Sequence, residues 1–139
     1  AVVLQDLSCI PALVRELDNI DPHWDILFTD TNFRIGEKRY TYSLATNARP
    51  DQPIFPVAHY TKKKRVSNNL IRIYSRFATT SMIISKRGIK KLFDYFTHVY
   101  LWQPIDIDMH YVPHLREYTT TTDIVSNSLS SRSNTKNPT

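Results

Sequence analysis

Three consecutive pieces of the first 29 residues decide the fold class: Ala1-Val2-Val3-Leu4-Gln5-Asp6, the span from Ser8 to Asn19, and Trp24-Asp25-Ile26-Leu27-Phe28-Thr29. The short apolar run Ala1 to Leu4, followed at once by polar residues, reads as the end of a buried parallel strand, with Gln5 and Asp6 at its carboxyl end. Ser8 is a candidate cap for a helix whose apolar residues Ile10, Leu13, Val14 and Leu17 follow the three-and-four spacing of one buried stripe. Asp21-Pro22-His23 reads as a turn, and the aromatic and branched residues from Trp24 to Thr29 suit a second buried strand. Strand, helix, strand predicts a parallel α/β crossover.

Working outward, the pattern breaks up from Asn32 to Asn69, where Pro50, Pro53 and Pro56 are spaced through polar residues and only Arg39 to Leu44 alternates like a strand. Lys62-Lys63-Lys64-Arg65 reads as a solvated loop, with phosphate binding as the sharper alternative. Leu70 to Phe77 and Thr79 to Ile84 are β-favouring runs. Ser85 is a good N-cap for a helix with Ile89, Leu92, Phe93 and Phe96 as its buried stripe and Lys86, Arg87, Lys90 and Lys91 facing water. Four cations early in a helix oppose its dipole, so contact with an acidic lipid or glycan is an alternative to a merely solvated face. The Ser-, Thr- and Asn-rich stretch 119–139 has few apolar anchors and reads as a polar tail beyond a domain spanning 1–118.

The 139 residues fit one ordinary domain, and 41% apolar with 22% charged residues is globular composition. No run approaches the roughly 18 apolar residues of a membrane span. The chain opens directly in an apolar run rather than on a methionine, which reads as a beginning cut away. A single cysteine, Cys9, precludes an internal disulfide. The two glycines, Gly36 and Gly88, leave nothing from which to build a glycine-rich phosphate cradle, so dinucleotide and P-loop classes are excluded. A net charge of +5 favours acidic partners such as nucleotide diphosphates, phosphorylated glycans or anionic headgroups, although solubility alone accounts for its sign.

Asp6, Asp106 and Asp108 stand where an open α/β sheet receives ligands, outside strand ends or in the loops beside them. Carboxylates so placed suit two tasks, holding a divalent cation against a diphosphate and accepting the proton of a hydroxyl nucleophile, the second a part open to Asp106 or Asp108. A lone Asp at a strand end is just as often a cap or turn residue, and that reading stands beside the first for Asp6. His110 and His114 are four apart, but Pro113 between them removes the one-face geometry of a zinc helix, so they read as surface histidines. Cys9 reads as a small buried hydrophobe.

These residues resemble glycosyltransferase family 25, whose members serve lipopolysaccharide and collagen glycosylation. The strand ending in Gln5-Asp6, followed one helix later by Trp24-Asp25-Ile26-Leu27-Phe28, is similar to the family core. Thr79 to Leu92, containing Ser85-Lys86-Arg87-Gly88, looks like the family's strand, Ser-Lys-x-Gly turn and helix. Pro104-Ile105-Asp106 looks like its Pro-Ile-Asp element, and Thr122-Asp123-Ile124-Val125 falls near the family's chain end. The resemblance spans roughly Val2 to Ser126. It implies an α/β, partly GT-A-like sheet with flanking helices, a sugar-nucleotide donor such as UDP-hexose, and a glycan or glycolipid acceptor of lipopolysaccharide type. It also implies a manganese or magnesium ion at the acidic cluster. Transferred residue by residue, Gln5 and Asp6 take the donor side, Asp6 the metal, and Asp106 and Asp108 the catalytic positions. The implied setting is cytoplasmic, with possible contact at the inner membrane and no nucleic-acid partner.

Two departures stand out: Gln5-Asp6-Leu7 replaces the family's Glu-Asp-Asp, removing two of three carboxylates, and the family's N-terminal half is missing. The alternatives to an active transferase are a degenerate, non-catalytic nucleotide- or anion-binding domain and a basic anion-binding module unrelated to transfer.

Overall fold

The computed structural model describes residues 1–31, 57–76 and 78–127. In chain order these form β1 (Val2–Val3), a 3-10 turn (Leu7–Cys9), α1 (Ile10–Ile20), β2 (Ile26–Phe28), α2 (Val57–Tyr60), β3 (Lys63–Arg65), β4 (Leu70–Ile73) and β5 (Met82–Ile84). There follow α3 (Lys86–His98), α4 (Ile105–Asp108), a 3-10 turn (Met109–Tyr111), β6 (Glu117–Thr120) and β7 (Val125–Ser126). The fold is mixed α/β. A five-stranded sheet has the order β3-β4-β6-β2-β5, and β1 pairs with β7 in a separate two-stranded sheet. Within the larger sheet β2 and β6 are parallel, with Leu27 opposite Tyr118, and the other pairs are antiparallel.

β2 is fully buried, and its alternation divides the core. Leu27 joins Leu17, Trp24, Leu70 and Tyr118 on the face covered by α1, where Leu13 and Val14 pack. Ile26 and Phe28 join Ile73 and Met109 on the other face, against which Leu92 of α3 packs. Each fully buried aliphatic side chain of this kind is worth about 1.5–3 kcal/mol. Burial on both faces is why β2 reads as an unbroken apolar run rather than an alternating one.

The first strand is not where its sequence suggests. Val2 and Val3 are exposed, and β1 runs antiparallel to β7, so the crossover from β1 through α1 to β2 within one sheet does not form. β2 takes its parallel partner from β6 instead. A run of branched residues specifies an extended backbone but not the sheet it joins. The proposed boundary at residue 118 likewise falls inside β6. Thr119 and Thr120 are buried in the sheet, and Thr120 opposes Leu70. Their polar composition hid a central strand because the hydroxyls are satisfied internally: Thr119 Oγ1 donates to the Asp30 carbonyl and Thr120 Oγ1 to the Thr122 carbonyl. The Lys62 to Arg65 run supplies β3, an exposed strand at one end of the sheet's order, where charge discourages further pairing. The alternating segment Arg39 to Leu44, the prolines at 50, 53 and 56, and the tail beyond residue 127 lie outside the described residues.

α3 starts as its sequence indicates. Ser85 Oγ accepts the Gly88 N–H at 3.0 Å and donates to the Trp24 carbonyl at 2.9 Å, so one hydroxyl caps the helix and ties it to the start of β2. The helix sits so close that a Cβ at Gly88 would lie 2.4 Å from the Asp25 carbonyl oxygen. Its buried stripe is displaced from expectation: Leu92 and Phe96 are half-buried, whereas Ile89 and Phe93 face out and Lys91 turns inward. Gly88, the one buried residue of the helix, sets that rotation because only a residue without a side chain allows the close approach. Gly88→Ala should therefore destabilise the fold by about 1–3 kcal/mol in urea unfolding. An unchanged midpoint would show that the close approach is not needed.

Candidate functional site

The carboxyl end of β2 gathers the polar groups that most resemble a site. Thr29, Asp30 and Thr31 leave the strand, with Thr29 and Asp30 buried. The Thr29 carbonyl accepts the Ile124 N–H at 2.8 Å, while Asp123 Oδ1 accepts both the N–H and the hydroxyl of Thr31, at 2.7 and 2.8 Å. Gln5 Nε2 donates to the Asp123 carbonyl at 2.7 Å and to Thr122 Oγ1 at 3.1 Å. On the other side, Asp30 Oδ1 receives Arg76 Nη2 at 2.6 Å in a fully buried ion pair. Arg76 lies 4.2 Å from the Phe28 ring centroid, and its Nε donates to the Ala78 carbonyl. The Ala78 N–H, in turn, donates to Asp106 Oδ2 at 2.9 Å. Ala78 has φ 65°, a left-handed conformation uncommon outside glycine, held by those two contacts. One continuous chain of contacts thus connects Gln5 to Asp106 around the end of β2.

Of the four residues marked from sequence, Gln5 and Asp106 belong to this chain. Asp6 does not share its bonds. Its exposed carboxylate caps the 3-10 turn by accepting the Ser8 N–H at 2.9 Å, and the Ser8 hydrogen bonds hold its pKa below the ordinary carboxylate value. Asp108 is fully buried at the end of α4, where Oδ2 accepts the N–H groups of Trp102 and Gln103. Its geometry is that of a brace for the segment before α4. The donor set at Asp6 does not suit a divalent cation, which takes six or more oxygens: among the described residues no three His, Cys, Asp or Glu side chains gather closely enough to hold a metal.

Asp30, Arg76 and Asp123 were missed. Asp30 had a signal, since it stands two residues past the apolar run that ends at Phe28, as Asp6 stands two residues past Leu4. Arg76 had none, because a buried guanidinium is recognisable only once its carboxylate partner is placed beside it.

His110 was also misread as a surface residue: it is buried under the sheet. Its Nδ1 lies 2.9 Å from Glu117 Oε2, and its Nε2 lies within hydrogen-bonding distance of both the N–H and the carbonyl of Arg76. Burial by itself would lower the histidine's pKa, but the Glu117 charge and hydrogen bond, helped by the Arg76 carbonyl, raise it above 6.5. A cavity of about 380 Å³ opens beside the pair, lined in part by His59, Tyr74, His114 and Glu117. No family model, curated protein or solved structure matches the chain.

A histidine whose folded-state pKa is raised stabilises the fold fully below its unfolded value of 6.5, and that contribution fades as pH rises through the folded value. Unfolding free energies measured from about pH 6 to about pH 9 should therefore show the wild type losing stability relative to Glu117→Gln, which lacks the charge that raises His110. Parallel pH profiles for the two proteins would contradict the pairing.

Proposed function

We propose that the chain is part of a sugar-nucleotide-dependent glycosyltransferase with a GT-A-like fold, similar to family 25. Such an enzyme would join a hexose to a glycan or glycolipid hydroxyl on the cytoplasmic side of a membrane, as in lipopolysaccharide assembly. The observation that carries this reading is the interlocking of the motifs behind the resemblance. Trp24-Asp25 packs directly on Ser85 and Gly88, and Asp106 of Pro104-Ile105-Asp106 joins the chain of contacts at the carboxyl end of β2. Ligands of open α/β sheets enter at that end.

In the proposed transfer the acceptor hydroxyl gives its proton to Asp106, which is half-buried and held by the Ala78 N–H. The acceptor oxygen forms a bond to the anomeric carbon as the bond from that carbon to the diphosphate breaks, and the nucleoside diphosphate departs. Gln5 and Asp6 stand on the donor side. Asp108 contributes by fixing the Trp102 and Gln103 backbone rather than by touching the hydroxyl. Any manganese or magnesium ion would enter with the diphosphate of the donor, since Asp6 offers no carboxylate cluster.

A second reading is a transferase-like domain that binds a nucleotide or another anion without turnover. It is favoured by the use of Asp6 as a cap and by the absence of a metal-competent cluster among the described residues.

Assay of the intact protein with UDP-hexoses and oligosaccharide acceptors should give turnover that falls about 100-fold or more in Asp106→Asn, with the melting temperature retained. Asparagine keeps the oxygen that accepts from Ala78 but cannot take a proton. Stabilisation by UDP without turnover would select the second reading, and neither effect would remove both.

A further inference from the structure

The outward face of α3 and the segment after it carry exposed apolar side chains that take no part in the site above. Ile89 and Phe93 are 55% and 68% exposed, and beyond the helix Tyr100, Leu101 and Trp102 are 89%, 57% and 45% exposed. A single exposed apolar residue is ordinary, but five within fourteen residues of sequence are an unusual concentration. Ile89 and Phe93 are one turn apart on the same side of the helix, and exposed Lys86 and Lys90 lie beside them on that side. Arg87 is exposed as well, while Lys90 pairs with Asp94 at 2.6 Å.

Two features keep these side chains outside. Gly88 faces the sheet at a separation no larger residue permits, which directs Ile89 and Phe93 away from it. The buried carboxylate of Asp108 holds the Trp102 and Gln103 N–H groups, so Gln103 is buried while Tyr100 to Trp102 project.

We propose that this face docks on a lipid bilayer carrying acidic headgroups. The charge matches: Lys86, Arg87 and Lys90 are exposed on the same helix as Ile89 and Phe93, and the whole chain has a net charge of +5. The composition matches too, because tyrosine and tryptophan favour the boundary between headgroups and acyl chains, and cations beside an apolar stripe favour anionic lipid. Among the described residues no helix is long and apolar enough to cross a membrane, so the contact proposed is peripheral. It does not depend on sugar transfer and is measured without any nucleotide.

The intact protein should sediment with vesicles of phosphatidylcholine and phosphatidylglycerol but not with phosphatidylcholine alone, and added salt should weaken the binding. Tryptophan emission should shift to the blue on binding, through Trp102, because Trp24 is already buried. Phe93→Ser combined with Trp102→Ser should reduce vesicle binding about tenfold or more at an unchanged melting temperature, as expected when two aromatic anchors are removed from exposed positions. Absence of binding to the mixed vesicles overturns the proposal, as does equal binding by the double variant. Self-association that the same substitutions abolish, without vesicle binding, would assign the face to a second copy of the chain instead.

Discussion

The structure turns on one buried carboxylate. Asp25 lies at the start of β2 with no exposed surface, and its Oδ2 receives Lys91 Nζ from α3 at 2.6 Å and the Arg116 N–H, just ahead of β6, at 2.9 Å. Its backbone takes part as well: its N–H donates to the Arg116 carbonyl, and its carbonyl accepts the Ser85 N–H at the cap of α3. One residue therefore joins the parallel strand pair to the helix that covers it. An isolated buried carboxylate costs several kcal/mol, so the position is tolerable only while the lysine and the amide both reach it. Gly88 is what lets them, since any Cβ there would push α3 away from the Asp25 carbonyl.

A second set of buried polar groups runs beneath the same face of the sheet. Glu117 holds His110, His110 meets the Arg76 backbone, and the Arg76 side chain crosses Phe28 to reach Asp30. Such pairs add little net stability compared with apolar packing of the same volume, but removing one partner leaves a charge stranded. Their effect is to fix geometry. They hold the end of β2 against Ala78 and Asp106, which is where ligand chemistry is proposed, and they pass beside the cavity at His59 and Glu117.

The aspartates marked from sequence show how one residue type serves different ends. Asp6 caps a turn, Asp108 braces a loop, and Asp106 pins a left-handed alanine beside Arg76. Each accepts backbone N–H groups, the commonest use of a short carboxylate near the end of an element. Only Asp106 also shares a network with the carboxyl end of β2, which is why the proposed chemistry concentrates on it. The brace at Asp108 has its own consequence, because it sets which side chains before α4 are buried and which project.

The sequence by itself determined what depends on near neighbours. The three-and-four spacing of Leu13, Val14 and Leu17 specified α1, the branched and aromatic run specified β2, and Ser85 specified the beginning of α3. Those signals survive folding because a helix stripe, a cap or an extended run is settled within a few residues. Tertiary structure decided everything that joins distant segments: β1 beside β7, threonine-rich β6 at the centre of the sheet, Arg76 on Asp30, and His110 under the sheet beside Glu117. It also decided which side of α3 faces water, since the rotation follows from a glycine meeting the Asp25 carbonyl rather than from the helix's own hydrophobic pattern. Pairing register, the burial of a charge and the contact face of a helix are properties of two surfaces meeting, and a local pattern describes only one of them.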